Sequence, residues 1–199
     1  ALAVRNHALG VVGDVMRDAK MGTMVNLNVV DSVVVSLTET LINNQNVILS
    51  MVTMRKKDQY LLEHSMNVAV LMGVLARSLG YRDQELHDLV LGAFLHDVGK
   101  IRVPDSILHN PGRLNPEEWE EMKRHVDYGM EILGAMTDLS ELSLRVCSQH
   151  HEHINGSGYP LGLRGDEISL AGRMGAVVDV YDAITADRVY HKGLEPNVA

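Results

Sequence analysis

The chain has 199 residues, enough for one full hydrophobic core, and 46% of them are hydrophobic, which excludes a disordered polypeptide. A formal charge of −8 excludes bulk electrostatic binding to polymeric nucleic acid or to an anionic membrane. A small phosphate ester stays compatible with that charge where cations reverse it locally.

Aromatic residues make up only 4%, so Val, Leu, Ile and eleven Met must fill the interior. Cys147 is the sole cysteine; it rules out an internal disulfide, fits a reducing, cytoplasmic compartment and reads as an inert helix residue. No apolar run has membrane-spanning length and no signal-peptide pattern opens the chain, so this segment is expected to make no direct membrane contact. Because it starts at Ala1 without Met and stops soon after a basic segment, it is expected to be a piece of a longer protein, truncated at its C-terminus.

Residues 1–56 carry no readable chemistry. Val29, Val33, Leu37, Leu41 and Ile42 recur at helical spacing, as do Val47, Met51 and Met54, before Arg55-Lys56-Lys57 interrupts the pattern. This region is expected to form two or three helices, an extension that packs on the following domain or pairs with a second copy in a homodimer. His7 reads as a solvated bystander.

From residue 57 the signal sharpens. Asp58 suits an N-cap, and Leu61, His64, Val68, Leu71, Leu75 and Leu79 form one stripe that ends at Gly80. His64 lies within the stripe and must face the core, as a hydrogen-bonded structural residue or as a metal ligand. The next helix is expected over 83–98, with Leu86, Leu89, Val90, Ala93 and Phe94 apolar, His87 outside the stripe and exposed, and Gly99 ending it. It delivers His96 and Asp97 at its C-terminal end, with Lys100 one turn later. Imidazole and carboxylate are ligand types that first-row divalent metals accept.

Asn110-Pro111-Gly112 is a turn, and His109 beside it reads as surface. Asn115 as N-cap, Pro116 at N1 and Glu118 at N3 predict a helix start, with Trp119, Met122, Val126, Met130 and Leu133 as its buried face and His125 adjoining that face. Another helix, over about 139–151, places Leu142, Val146 and His150 at i, i+4 and i+8, followed by His151. Two adjacent imidazoles at a helix end could share one metal if the backbone turns there, or form a surface pair. His153 falls in the loop beyond. The loop Asn155-Gly156-Ser157-Gly158-Tyr159-Pro160 is too glycine-rich for a helix; Tyr159 either plugs the core or stacks on a planar ligand. Ser169 starts a last helix, where Gly172, Gly175, Asp179 and Asp182 lie near one face and leave room for something charged. A buried Asp179 without a cation would be costly. No repeat, phosphate-cradling glycine loop, nucleophilic triad or strand is evident.

Together, His64, the run His96-Asp97-Val98-Gly99-Lys100, His125, the run His150-His151-Glu152, Gly158-Tyr159-Pro160 and Asp179-Val180-Tyr181-Asp182-Ala183 resemble the HD-GYP family of the HD phosphohydrolase superfamily, in family order. The resemblance covers residues 58–191. It implies an all-α HD-type helical bundle, with a catalytic domain over 57–199, that hydrolyses cyclic di-GMP to pGpG and onward to GMP. Carried across, one divalent cation is held by His64, His96, Asp97 and Asp179, and a second by Asp97, His125, His150 and His151. Iron or manganese is implied, with nickel and zinc as alternatives. Some members carry a glutamate for a third cation where this chain has Tyr60, and Glu63 points elsewhere, so two cations are expected. Arg188 matches a cationic contact of the family, whereas the second such position is His191, beside Lys192.

Two cations about 4 Å apart would share a hydroxide that attacks the phosphodiester. Lys100 is then expected on a non-bridging phosphate oxygen, Asp182 as orienter or proton acceptor, and Gly158, Tyr159, Pro160, Arg188 and His191 on the substrate. Two alternatives stand beside this reading: an HD phosphohydrolase acting on another nucleotide, and a non-catalytic cyclic-dinucleotide receptor.

Overall fold

The computed structural model describes residues 2–23, 26–44, 60–136 and 138–186. They form nine α-helices and two 3-10 turns, with no strand among the described residues. The helices are α1 (Leu2–Met21), α2 (Leu27–Asn43), α3 (Tyr60–Ser78), α4 (Asp83–Leu95), α5 (Asp105–Leu108), α6 (Pro116–Lys123), α7 (His125–Gly134), α8 (Glu141–Gln149) and α9 (Leu170–Thr185). Asp58, Arg188 and His191 lie outside the described residues, as do the apolar positions expected at Val47, Met51 and Met54.

Helix α3 is the axis of the bundle. Residues 63–70 are buried all round, because α1, α2, α4 and α9 pack on different sides of it. Helix α4 bridges α3 to α8, and α9 closes the ring by lying on both α3 and α8. One continuous core runs from Ala8 and Val12 of α1, through Val30 and Leu37 of α2, to Met174 and Val178 of α9. The N-terminal helices therefore direct their apolar faces into the chain's own core, each fully buried Leu or Val contributing on the order of 1.5–3 kcal/mol.

The buried stripe of α2 is Val30, Val33, Val34, Leu37 and Leu41; Val29 and Ile42, expected inside, are exposed, as is Leu79. The two caps read from sequence are present. Asn115 and Glu118 form a reciprocal capping box, and the Ser169 hydroxyl accepts from the Gly172 amide.

Several expectations need correcting. Helix α4 stops at Leu95, and the backbone tightens into the 3-10 turn Val98–Arg102. Gly99 does not cap a helix: a Cβ there would lie 2.0 Å from the His125 carbonyl oxygen and 2.3 Å from the Gly129 nitrogen. It is the point where the turn presses onto α7. The helix expected from Pro116 through Leu133 is broken at Arg124, so Trp119 is 46% exposed rather than buried. His87 is half-buried and pairs with Asp31 of α2 at 2.9 Å. The glycines of α9 make room for α8, not for a charged ligand. A Cβ at Gly172 would meet the Gln149 side chain at 2.5 Å, and one at Gly175 would meet the His150 Cβ at 3.3 Å.

Candidate metal centre

Five elements deliver the candidate ligands to one buried spot. His64 comes from α3, His96 and Asp97 from the end of α4, His125 from the first residue of α7, His150 and His151 from the end of α8, and Asp179 from α9. His64, His96, Asp97, His125, His150 and Asp179 are buried, and His151 is half-buried. Donor atoms of Asp97, His125, His150 and His151 all lie within 4.8 Å of one another, and so do those of His64, His96 and Asp179.

The rings are held in one tautomer. His96 Nδ1–H donates to the Ala93 carbonyl at 2.7 Å, His125 Nδ1–H to Met122 at 2.7 Å and His150 Nδ1–H to Cys147 at 2.8 Å. His64 Nδ1–H donates instead to the Asp182 carboxylate at 2.8 Å. With each Nδ1 proton engaged, Nε2 is the ring nitrogen turned to the centre in all four. Because a carbonyl three residues back suffices, three of the four rings are fixed by backbone adjacent in sequence, His125 by the last turn of α6.

Asp97 stands between the two sets. Its Oδ2 lies 3.5 Å from His64 Nε2 and 3.3 Å from His96 Nε2. Its Oδ1 lies 3.4 Å from His125 Nε2 and 3.9 Å from His150 Nε2. Neither His96 Nε2 nor Asp97 Oδ1 has a hydrogen-bond partner among the described residues, although both atoms are buried. Orphaned buried polar atoms are costly, and several lone pairs aimed at the same point repel unless a cation sits among them. The donor set therefore fits divalent metal.

The electrostatics agree with that use. Burial pushes the Asp97 carboxyl up, but His96, Lys100 and His125 around it hold it well below the usual carboxylate range. Burial lowers His125 to about 4, and burial together with neighbouring His125 lowers His151 to about 3, so both are neutral imidazoles at pH 7, the form that can bind a cation. His64 goes the other way. Burial opposes its charge, yet bonds to Asp179 and Asp182 and the nearby Asp97 raise it to about 9.

Residues 38–199 match the HD domain family. The chain belongs to the HD domain family. The resemblance to HD-GYP proteins read from its sequence is borne out by that match and by its relatives. It is 41% identical over 188 residues to the cyclic di-GMP phosphodiesterase PA4108 of Pseudomonas aeruginosa, covering 94% of this chain and 45% of that protein. It is 43% identical over 128 residues to the 3'3'-cGAMP-specific phosphodiesterase 2 of Vibrio cholerae, covering 64% of this chain and 24% of that protein. The chain thus spans less than half the length of these curated relatives. The solved structure of Bd1817, an HDG"Y"P protein from Bdellovibrio bacteriovorus, shares the fold with a TM-score of 0.79 at 20% identity, covering 97% of this chain and 61% of that one.

Around the ligand cluster the HD domain places its other candidate residues with different roles. Lys100 Nζ donates to Asp97 Oδ2 at 2.6 Å and is partly open to solvent. Asp182, fully buried, accepts the Nδ1–H of His64. Gly158 is packed against backbone, since a Cβ there would lie 2.3 Å from the His153 nitrogen and 2.5 Å from the His151 oxygen. Its neighbour Tyr159, joined by a cis peptide to the exposed Pro160, lays its ring on His151 at 4.6 Å and 26°. His7, His109 and His153 are exposed and stand apart from the clusters. Cys147 is buried, its thiol pushed up by burial and bonded to the Gly92 carbonyl, consistent with an inert role.

Two contributors were given no role of their own by the sequence reading, Glu152 being noted only within the run His150-His151-Glu152. Glu152 is buried and its carboxylate accepts from the Leu161 amide at 2.7 Å and the Leu163 amide at 2.9 Å, clamping the loop that carries Tyr159. Arg5 of α1 is buried and pairs at 2.6 Å with Glu63, the residue before His64. No helix among the described residues is long and apolar enough to cross a membrane.

Proposed function

We propose that this chain is the catalytic part of a metal-dependent phosphodiesterase that hydrolyses cyclic di-GMP to pGpG, with GMP as a further product. The observation that carries the reading is the Asp97 carboxylate, whose two oxygens face two separate donor sets. Such an arrangement suits two divalent cations, with His64, His96, Asp97 and Asp179 holding one and Asp97, His125, His150 and His151 the other. Iron or manganese suits this mixed imidazole and carboxylate set, with nickel and zinc as alternatives. When bound, the cations would offset phosphate charge and acidify water.

The chain's own residues supply the rest. Nδ1 anchors keep four imidazoles aimed with Nε2 towards the cluster. Lys100 Nζ, resting on Asp97 Oδ2, is within one side-chain swing of a phosphate placed at the cluster and would neutralise a non-bridging oxygen as charge builds. Asp182 is a positioning residue for His64, not a proton acceptor for substrate. Arg188 and His191 remain candidates for phosphate or base contacts.

A second substrate is favoured by one comparison, since a relative of similar identity is named for 3'3'-cGAMP. The test is chromatography of products after loading purified protein anaerobically with iron or manganese and offering cyclic di-GMP, 3'3'-cGAMP and linear nucleotides. Turnover of cyclic di-GMP first and fastest supports the main reading. Preference for the mixed ring reassigns the substrate, and cleavage of mononucleotides alone, or none with metal bound, overturns it.

A further inference from the structure

We propose that Trp119 is the platform on which a nucleobase of the substrate stacks, and that Tyr159 is its buttress and not the stacking surface. The inference rests on the phosphodiesterase reading of the site. Tyr159 is the obvious aromatic, but one face of its ring is already occupied, lying on His151 at 4.6 Å and 26°. The ring of His125 also stands edge-on to it at 6.3 Å and 83°. A base could slide between Tyr159 and His151 only by displacing a candidate ligand.

Trp119 is placed differently. It projects from α6 with 46% of its surface exposed, which leaves part of the indole open to a ligand. Its indole stands at 84° to the Tyr159 ring with centroids 6.2 Å apart, so Tyr159 braces it without covering both faces. Two ring contacts thus separate Trp119 from His151. A phosphate held at the ligand cluster has its base one ribose away, a comparable reach. Lys123, one turn beyond Trp119 on the same helix, pairs with Glu120 at 2.8 Å and holds its Nζ 5.9 Å from the Tyr159 ring centroid, so it helps to fix the Tyr159 side of the platform. Every base has a π-face, so a braced indole open to solvent is a general nucleobase surface.

Trp119 is the sole tryptophan of the chain, so intrinsic fluorescence reads this position alone. Manganese-loaded protein is titrated with pGpG and, as a control without a base, with ribose phosphate; Trp119→Ala and Trp119→Phe are assayed for turnover. Saturable quenching by pGpG but not by ribose phosphate is expected. Trp119→Ala should raise KM about tenfold or more, with kcat and metal content nearly unchanged, and Trp119→Phe should recover most of the loss. Because Trp119 is exposed, both variants should melt like the parent. A Trp119→Ala KM within about twofold of the parent, or quenching equal with ribose phosphate, overturns the platform while leaving the phosphodiesterase reading intact. Base-dependent quenching in a protein that turns over no cyclic dinucleotide does the reverse.

Discussion

Asp182 accepts the Nδ1–H of His64 at 2.8 Å across 118 positions of sequence, and this bond joins the first helix of the ligand set to the last. Removing the acceptor frees the ring to rotate and lets the proton sit on Nε2, the nitrogen needed for metal. Asp182→Ala is expected to weaken cation binding at His64 by about 10- to 100-fold, the range typical for loss of a partner behind a histidine ligand. Chelator competition followed by metal analysis checks it. Full metal retention by Asp182→Ala would make the bond structural only.

Protonation should separate the two donor sets. His64, at about 9, carries a proton in the metal-free chain at pH 7, whereas His125 and His151, at about 4 and about 3, do not. A cation arriving among His125, His150 and His151 meets free lone pairs; one arriving at His64 must expel a proton. The raised His64 value stabilises the metal-free fold fully below its ordinary 6.5, and that contribution fades as pH rises towards about 9. The lowered values act oppositely: their contribution is whole above 6.5 and is lost as pH falls through about 4 and about 3. Calorimetric titration of manganese at pH 7 in two buffers of different ionisation enthalpy should show about one proton released at one site and none at the other. Equal release at both sites would contradict it.

The pair Arg5–Glu63 ties α1 to the helix that carries His64, with both side chains only 4% exposed. Arg5→Met keeps the bulk but removes a charge-assisted bond, which should lower stability by about 2 kcal/mol. Arg5→Met with Glu63→Gln should be less destabilised than the two single effects together, because no charge of the pair then stays buried. Thermal melts of the four proteins give the coupling directly. A coupling near zero would mean that α1 is held by its apolar face alone.

What was legible in the sequence follows from how local each signal is. The caps at Asn115 and Ser169 were readable because they depend on residues three apart. His64 was readable as core-facing because a helical period fixes its direction, whereas His150 and His151, at a helix end, stayed open between a shared metal and a surface pair. Trp119 was misplaced because the break at Arg124 rotates α6 relative to α7, and no proline or glycine marks it. Arg5 and Glu152 were passed over for one reason: a charged side chain reads as solvated until its partner, supplied from far along the chain or from backbone amides, is visible. Gly172 and Gly175 looked like space for a ligand because the shape of α8 opposite them is a tertiary fact. The meeting of the ligands themselves was readable only through the family resemblance, since spacing along the chain carries no information on five elements converging.

Glu152 offers the last prediction. Its two oxygens satisfy the amides of Leu161 and Leu163, and just before these residues the Tyr159 amide donates to the His151 carbonyl at 3.1 Å. Without the carboxylate, two amides of the loop lose their acceptors, at about 1–3 kcal/mol each if they stay buried. The loop should instead open to water, and Tyr159 should leave the His151 ring. Glu152→Ala is therefore expected to be cleaved readily by protease within 154–163, to raise KM, and to bind the cation at His151 more weakly. Glu152→Gln keeps one acceptor oxygen and should fall between. Limited proteolysis with mapped cleavage sites, alongside metal content, checks it. A Glu152→Ala loop as resistant as the parent's would show that Tyr159 packing, rather than the clamp, holds the segment in place.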